Sequence, residues 1–315
     1  QNQRTMWLDV FKGLAIMAVV INHHPGLPRI SFNVCASFDV PLFFFMSGYL
    51  FKPNVTFHDI VRKRFNSLLK PYFFFVTLVS LAYIFFKGTP SPFWYFFWMI
   101  YGNGPNLPKI LVHLWFLPSL FTVSLFVWIS YRYIKFLKSS IIGQLALISS
   151  FFIIGILGIH LFWDIKIPIS ITNYFIPDGN LLLINGLLNN PAYSKEALLI
   201  DKQFLLKGLP WSVDFILVTS AFFMSGYFIK QNGIEKLFHK GSIAAALLIF
   251  FIATHVFWGY TIDLNIRRYD NLFINTLIAF AAIYFFIYLS HCITKFDNKL
   301  SNFIKYIGRY TLVIF

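Results

Sequence analysis

Eight long apolar stretches divide this chain, near residues 7–24, 33–51, 71–86, 113–131, 139–162, 210–229, 241–259 and 271–291. A ninth begins near Tyr306 and runs into the end of the chain at Phe315. A helix needs about 20 mostly apolar residues to cross a bilayer, and these stretches approach or reach that length. Within hydrocarbon the backbone must bond to itself, so repeated segments of this kind dictate helices. The expected fold is an all-α, polytopic transmembrane helix bundle of about nine to eleven spans. The chain starts at Gln1 rather than Met and stops inside an apolar run. It is therefore expected to be one integral-membrane domain over residues 1–315, truncated within its last helices.

Composition supports the same reading. Hydrophobic residues make up 58% of the chain and charged residues 12%, against about 25% charged in ordinary soluble proteins. A soluble domain of this size cannot hide so much apolar surface in one core. Disorder, a nucleic-acid-binding arm and an ordinary soluble enzyme are excluded, and the expected partner is the lipid bilayer. The net charge of +14 falls in short gaps between apolar runs, not on one polar face as in nucleic-acid binders. Lys52 to Lys70, Arg132 to Lys138, Lys230 to Lys240 and Lys295 to Arg309 all fall on one side if the N-terminus is cytoplasmic, as the positive-inside rule requires. Cys35 and Cys292 give neither a disulfide framework nor zinc spacing, and read as small buried apolar residues. No metal cluster is apparent.

Two stretches are less regular. Residues 93–101 are aromatic but short, and are expected at the membrane interface. Residues 165–209 read as a long loop with one interfacial helix around Leu181 to Leu188. The first apolar run has a basic start like a signal peptide. Asp9 and Lys12 interrupt it and no small-x-small site follows, so it reads as the first permanent helix. One internal echo exists: Phe44 to Tyr49 (Phe-Phe-Met-Ser-Gly-Tyr) recurs as Phe222 to Tyr227. It is either a parallel repeat of the kind some transporters carry or a good helix exit at the interface, and the unmatched flanks favour the latter.

Ionisable groups inside a membrane cost roughly 2.5–3.5 kcal/mol each on insertion scales, and are functional candidates by default. The first helix carries Asp9, Lys12 and His23. Lys12 and His23 are about three turns apart, within roughly 20° of one face and about 16 Å along the axis. Asp9 and Lys12 are i,i+3 neighbours, so a structural ion pair between them is an alternative. That alternative leaves His23 unexplained, and imidazole is the usual general base near neutrality. His24 points about 100° away from His23. His58, His239 and His291 are expected near the inner interface, and His160 and His255 at outer helix ends.

The run Arg4-Thr-Met-Trp-Leu-Asp9-Val-Phe-Lys12-Gly13-Leu-Ala, followed by Asn22-His23, resembles the start of the membrane-bound acyltransferase type 3 family. Pro41-Leu-Phe-Phe-Phe-Met-Ser47-Gly48-Tyr49 resembles that family's Phe-Phe-x-x-Ser-Gly stretch. Leu69-Lys70-Pro71-Tyr72, His113-Leu-Trp115-Phe116-Leu117-Pro118 and Leu209-Pro210-Trp211 fit its later elements. Within the family the layout looks most like the short branch that includes sugar O-acetylases. Three positions depart from the pattern. Lys12 lacks the donor fork of the Arg common there. Arg62-Lys63-Arg64-Phe65 replaces an Arg-x-x-Arg pair. Asp39 stands where short-branch relatives often have His, either facing substrate or simply interfacial.

The resemblance implies transfer of an acyl group, most often acetyl, from cytoplasmic acetyl-CoA or another acyl-CoA to a hydroxyl of an extracytoplasmic carbohydrate or lipid-linked sugar. It implies an enzyme of the bacterial cytoplasmic (inner) membrane, of unknown oligomeric state. His23 would take the acceptor's proton or carry the acyl group itself. Lys12, fixed by Asp9, would stabilise the thioester oxyanion or hold the pantetheine arm. Arg62, Lys63, Arg64 and Lys70 would bind the phosphates of the acyl-CoA, though positive-inside alone also accounts for them. Asp39, Ser47, His113 and Trp115 are candidates for the acceptor side. An exporter of a glycan or modified sugar without covalent chemistry, and a non-catalytic membrane partner, are the competing readings.

Overall fold

The computed structural model describes residues 3–22, 24, 29–87, 99–107, 109–134, 140–162, 164–168 and 203–310. It is a helix bundle. The helices are α1 (Gln3–Asn22), α2 (Arg29–Ala36), α3 (Asp39–Tyr49), α4 (Phe57–Arg64), α5 (Lys70–Lys87), α6 (Phe116–Tyr133) and α7 (Ile141–Phe162). There follow α8 (Ile216–Gln231), α9 (Gly241–Phe257), α10 (Leu272–Thr294) and α11 (Lys299–Arg309). The strands among the described residues form two small antiparallel pairs. Asp164–Pro168 (β1) pairs with Gln203–Lys207 (β2), and Ile262–Asp263 (β3) with Arg268–Tyr269 (β4).

Among the described residues, five helical segments are long and apolar enough to cross a membrane: Phe57–Ala82, Leu111–Tyr133, Ile141–Phe162, Pro210–Gln231 and Leu272–Thr294. Gly241–Phe257 is apolar but shorter. The most apolar windows are not the most buried. Ile141–Phe162 is 22% buried and Pro210–Gln231 72%, so α7 turns its Ile and Leu side chains outward while α8 forms the centre. Lipid solvates the outer side chains as well as protein does, which is why hydropathy alone does not locate the core.

Three expected boundaries move, each for a local reason. The stretch 33–51 is not one helix but two, broken at Ser37–Phe38. Pro41 has no N–H to give to the Ser37 carbonyl, so a continuous helix fails there; in the first turn of α3 the same proline is harmless. The basic segment before Pro71, expected as a loop, is helical. Thr56 caps α4, its Oγ1 accepting from the Asp59 N–H at 3.1 Å. A π-helical turn, Phe65–Leu69, then leads into α5. Pro71 removes one α-type bond here too, and a π-turn accommodates the gap. Finally, the two ends of the 165–209 loop pair as β1 and β2. The helix expected around Leu181 to Leu188 and residues 93–98 of the aromatic stretch lie outside the described residues. Cys35 and Cys292 are half-buried and not joined in a disulfide.

The repeated hexapeptide has a tertiary explanation. Helices α3 and α8 form the most extensive helix pair in the bundle. A Cβ on Gly48 would stand 1.6 Å from the Phe223 carbonyl oxygen, and one on Gly226 would stand 2.0 Å from that of Phe45. Each copy thus lays its glycine on the other's backbone, the reciprocal contact expected where small residues let two helices approach. The helices run parallel, with Lys230 of α8 over the Tyr49 ring at the end of α3. The echo is a packing motif, and its first copy also closes α3 at Tyr49.

Candidate functional site

The bundle has two chemically distinct ends. One carries the β3–β4 hairpin, the start of α3 and the end of α1. The other carries α4, the start of α1 and most of the Lys and Arg residues.

At the hairpin end, α1 closes on α3. Asn22 Nδ2 donates to Asp39 Oδ2 at 2.9 Å, and the Val40 N–H donates to Asp39 Oδ1 at 2.6 Å. Asp39 is buried. Its carboxylate therefore faces inward, held by an amide and by the backbone of its own helix start. Asn22 Oδ1 is buried with no partner among the described residues. Turning the amide over would set its oxygen against the carboxylate, so the orientation is fixed and one acceptor stays unused. His23, the next residue, lies outside the described residues. Asp39 is thus adjacent in space to the predicted catalytic histidine's neighbour, and reads as site-facing rather than interfacial.

Beside it, Ser37 Oγ and His255 Nε2 stand 2.9 Å apart, and His255 Nδ1 is 2.8 Å from the Phe251 carbonyl. Both residues are buried. His255 sits in the last turn of α9, at the helix end its place in the sequence predicts. Nothing in the spacing links Ser37 to a residue 218 positions later; only the fold of α9 onto the α2–α3 break does so.

A second polar centre organises the hairpin end. Asp214 and Arg267 form an ion pair, with side chains 0% and 1% exposed. Arg267 Nε donates to Asp214 Oδ2 at 2.7 Å and Nη2 to Oδ1 at 2.9 Å. Nη2 also donates to Ser212 Oγ, and Nη1 to Asn103 Oδ1 and the Asn265 carbonyl. The Leu209 N–H and Asn103 Nδ2 complete the network. All five guanidinium N–H groups are used, so this arginine holds protein rather than substrate. Trp211, Ser212 and Arg267 have φ of 52°, 59° and 58°. Left-handed conformation in such residues costs of order 1–3 kcal/mol each and persists only where the surroundings impose it. Burial raises the pKa of the Tyr101 phenol, which donates to the Gly208 carbonyl at 2.5 Å.

Trp115 belongs to this centre. It is buried, its ring meeting Phe215 edge-on at 5.4 Å, and Phe215 in turn lies under the Arg267 guanidinium at 4.9 Å. It is a wall of the ion-pair centre. His113 is half-buried, two residues earlier. Ser47 is half-buried on α3, eight residues past Asp39 and about 12 Å further along the helix. The structure does not bring Ser47 to the Asp39 cluster.

At the basic end the expected Asp9–Lys12 pair is replaced. Asp9 Oδ2 accepts from Arg309 Nε at 3.2 Å. The reason is the packing of α11 on α1: a Cβ on Gly13 would meet the Ile304 carbonyl oxygen at 2.2 Å, and one on Gly308 that of Asp9 at 1.8 Å. So close an approach delivers Arg309 to Asp9 and leaves Lys12, half-buried, to other uses. Arg62, Lys63 and Lys70 are exposed and Arg64 is half-buried. Being helical, Arg62, Lys63 and Arg64 fan about 100° apart instead of lining one loop. Nearby, Tyr49 donates to Glu235, Trp7 stacks on His291 at 4.7 Å, and His239 and His291 rings lie 4.4 Å apart. His291 is therefore a packed ring, not a solvated one.

No match was found among curated proteins or among solved structures. A family model described as an acyltransferase domain, that of acyltransferase type 3, matches residues 6–315. With a helical membrane bundle beneath it and a match over essentially its full length, this chain belongs to the acyltransferase type 3 family.

Proposed function

We propose that this membrane acyltransferase moves an acetyl group from acetyl-CoA at the basic end to a hydroxyl of a carbohydrate or lipid-linked sugar at the hairpin end. The setting is the bacterial cytoplasmic membrane, with the basic end inside. Arg62, Lys63, Arg64 and Lys70 bind the phosphates of the donor, Arg64 from the most enclosed position. Lys12 holds the pantetheine arm of the donor. His23 accepts the proton of the attacking hydroxyl.

The observation that carries this reading is the Asn22–Asp39 contact. It sets a buried carboxylate and an unused amide oxygen at Asn22, the residue before His23 in the chain, at the end of α1 opposite the basic residues. A sugar hydroxyl is the donor that such an oxygen lacks. The exporter reading leans on the repeated hexapeptide, and the reciprocal glycine packing of α3 on α8 accounts for that repeat without a transporter architecture.

The test is label transfer. Membranes containing the protein receive radiolabelled acetyl-CoA, and glycans and lipid-linked sugars are extracted. Base-labile label in that fraction, lost in His23→Ala at equal protein abundance, is the expected result. Undiminished transfer by His23→Ala removes the catalytic assignment, and no transfer by stable wild-type protein removes the reaction.

A further inference from the structure

The α2–α3 break holds a buried nucleophile beside a base. Ser37 Oγ lies 2.9 Å from His255 Nε2 and 2.7 Å from the Asn33 carbonyl, and His255 Nδ1 lies 2.8 Å from the Phe251 carbonyl. Carbonyls only accept, so Nδ1 carries a proton. A neutral imidazole then presents its lone pair at Nε2, and Ser37 has one proton for two acceptors. When Nε2 is protonated, all three contacts are satisfied: Nδ1–H to Phe251, Nε2–H to Ser37 Oγ, and Ser37 O–H to Asn33. The arrangement therefore has room for one more proton than the neutral side chains hold. That is the property a base needs when it activates a hydroxyl, and a third group orienting the base is the usual sign of such a pair. Asp39 follows Ser37 by two residues and is buried in the same place.

We propose that Ser37 is an acyl relay and His255 its base, so that the acetyl group crosses from donor to acceptor as a serine ester. This rests on the acetyl-CoA reading above. In the first step Ser37 Oγ attacks the thioester carbonyl and gives its proton to His255 Nε2. The C–S bond breaks, and the CoA thiolate leaves and takes a proton from water. In the second step the acceptor hydroxyl gives its proton to His23 and attacks the ester carbonyl. The bond from that carbon to Ser37 Oγ breaks, and His255 returns its proton to Oγ. One acetyl group has moved, Ser37 and His255 are restored, and His23 releases the acceptor's proton to water, offsetting the one the CoA thiolate took. The relay splits a transfer between two faces of the membrane into two transfers within reach of one side chain. Lys12 and Asn22 stand about 15 Å apart along α1, the distance over which the pantetheine arm would lie.

The experiment first reads label on the protein without added acceptor, then label on glycan after lipid-linked sugars are supplied. Membranes with wild-type protein are given radiolabelled acetyl-CoA, quenched in acid, and resolved under denaturing conditions. Label on the protein that survives neutral hydroxylamine but not alkaline hydroxylamine, as an oxyester does, is the expected result. Ser37→Ala should carry no label, and His255→Gln should accumulate it at least about a hundredfold more slowly. Ser37→Cys should shift the label to release by neutral hydroxylamine, as a thioester, which tests the position even if the alanine variant is poorly made. Ser37→Ala that passes label to glycan at the wild-type rate overturns the relay and leaves the acyltransferase reading intact. Neutral-labile label persisting in Ser37→Ala overturns it in favour of an acyl-histidine. A wild-type protein that labels neither itself nor any glycan ends both.

Discussion

Truncating Arg267 tests whether the buried ion pair holds the hairpin end together. In Arg267→Ala the Asp214 carboxylate keeps the Leu209 N–H as a donor, at 3.1 Å. Ser212 Oγ, Asn103 Oδ1 and the Asn265 carbonyl lose their donor together. Both side chains of the pair are essentially inaccessible, so solvent does not replace what is removed. Breaking a buried pair from one side costs about 3–5 kcal/mol, mostly for the charge left behind. For a chain of this size that is a fall in Tm of roughly 6–10 °C, at about 2 °C per kcal/mol. Trp211, Ser212 and position 267 are left-handed around the pair, so the loss is expected to be felt first in the hairpin and the Pro210–Phe215 turn. Thermal unfolding of purified protein in detergent measures it, with acetyl transfer as a second readout. The control is Asp214→Ala with Arg267→Ala, which removes both charges and should be less damaged than the sum of the single variants. A single variant with unchanged Tm, or a double variant with strictly additive loss, would refute the argument that an orphaned buried charge is the source of the cost.

Other expectations are smaller in scope. Gly48→Ala or Gly226→Ala places a methyl within 2.0 Å of a carbonyl oxygen of the partner helix. Either should cost about 1–3 kcal/mol by overpacking, seen as less folded protein after detergent extraction; equal yields would mean that α3 and α8 do not pack as described. Asp9→Asn loses a pair whose side chains are 22% and 41% exposed, so stability should change by less than about 1 kcal/mol, as read by the same melting assay. Arg64→Ala should raise the acetyl-CoA KM more than Arg62→Ala, because only Arg64 is enclosed; identical KM values for both variants and wild type would reduce these residues to a topology signal.

The membrane class, the helical fold and the family were legible in the chain itself. Apolar runs of spanning length admit only helices or closed barrels in lipid, and the motifs from Arg4 to Tyr72 occur in order. The proline-driven breaks were legible in principle, since Pro41 and Pro71 each delete a specific backbone bond, but hydropathy averaged over them. Asp39 could be named as a candidate, yet its inward orientation depends on Asn22 arriving from another helix.

What sequence determines by itself is therefore set by short-range physics: hydropathy over one helix length, a missing N–H, and the side-chain type at a fixed spacing. Which residues meet was decided only by tertiary structure. Asp9 takes Arg309 from 300 residues away rather than Lys12 from one turn away, because two glycines let α11 close on α1. Ser37 meets His255, and Asp214 meets Arg267, through helix packing that no local spacing encodes. In a bilayer the apolar surfaces of these helices are nearly interchangeable to lipid, so the choice of partner is left to small residues and buried polar contacts. Those contacts draw on residues far apart in the chain, and they are where the candidate site lies.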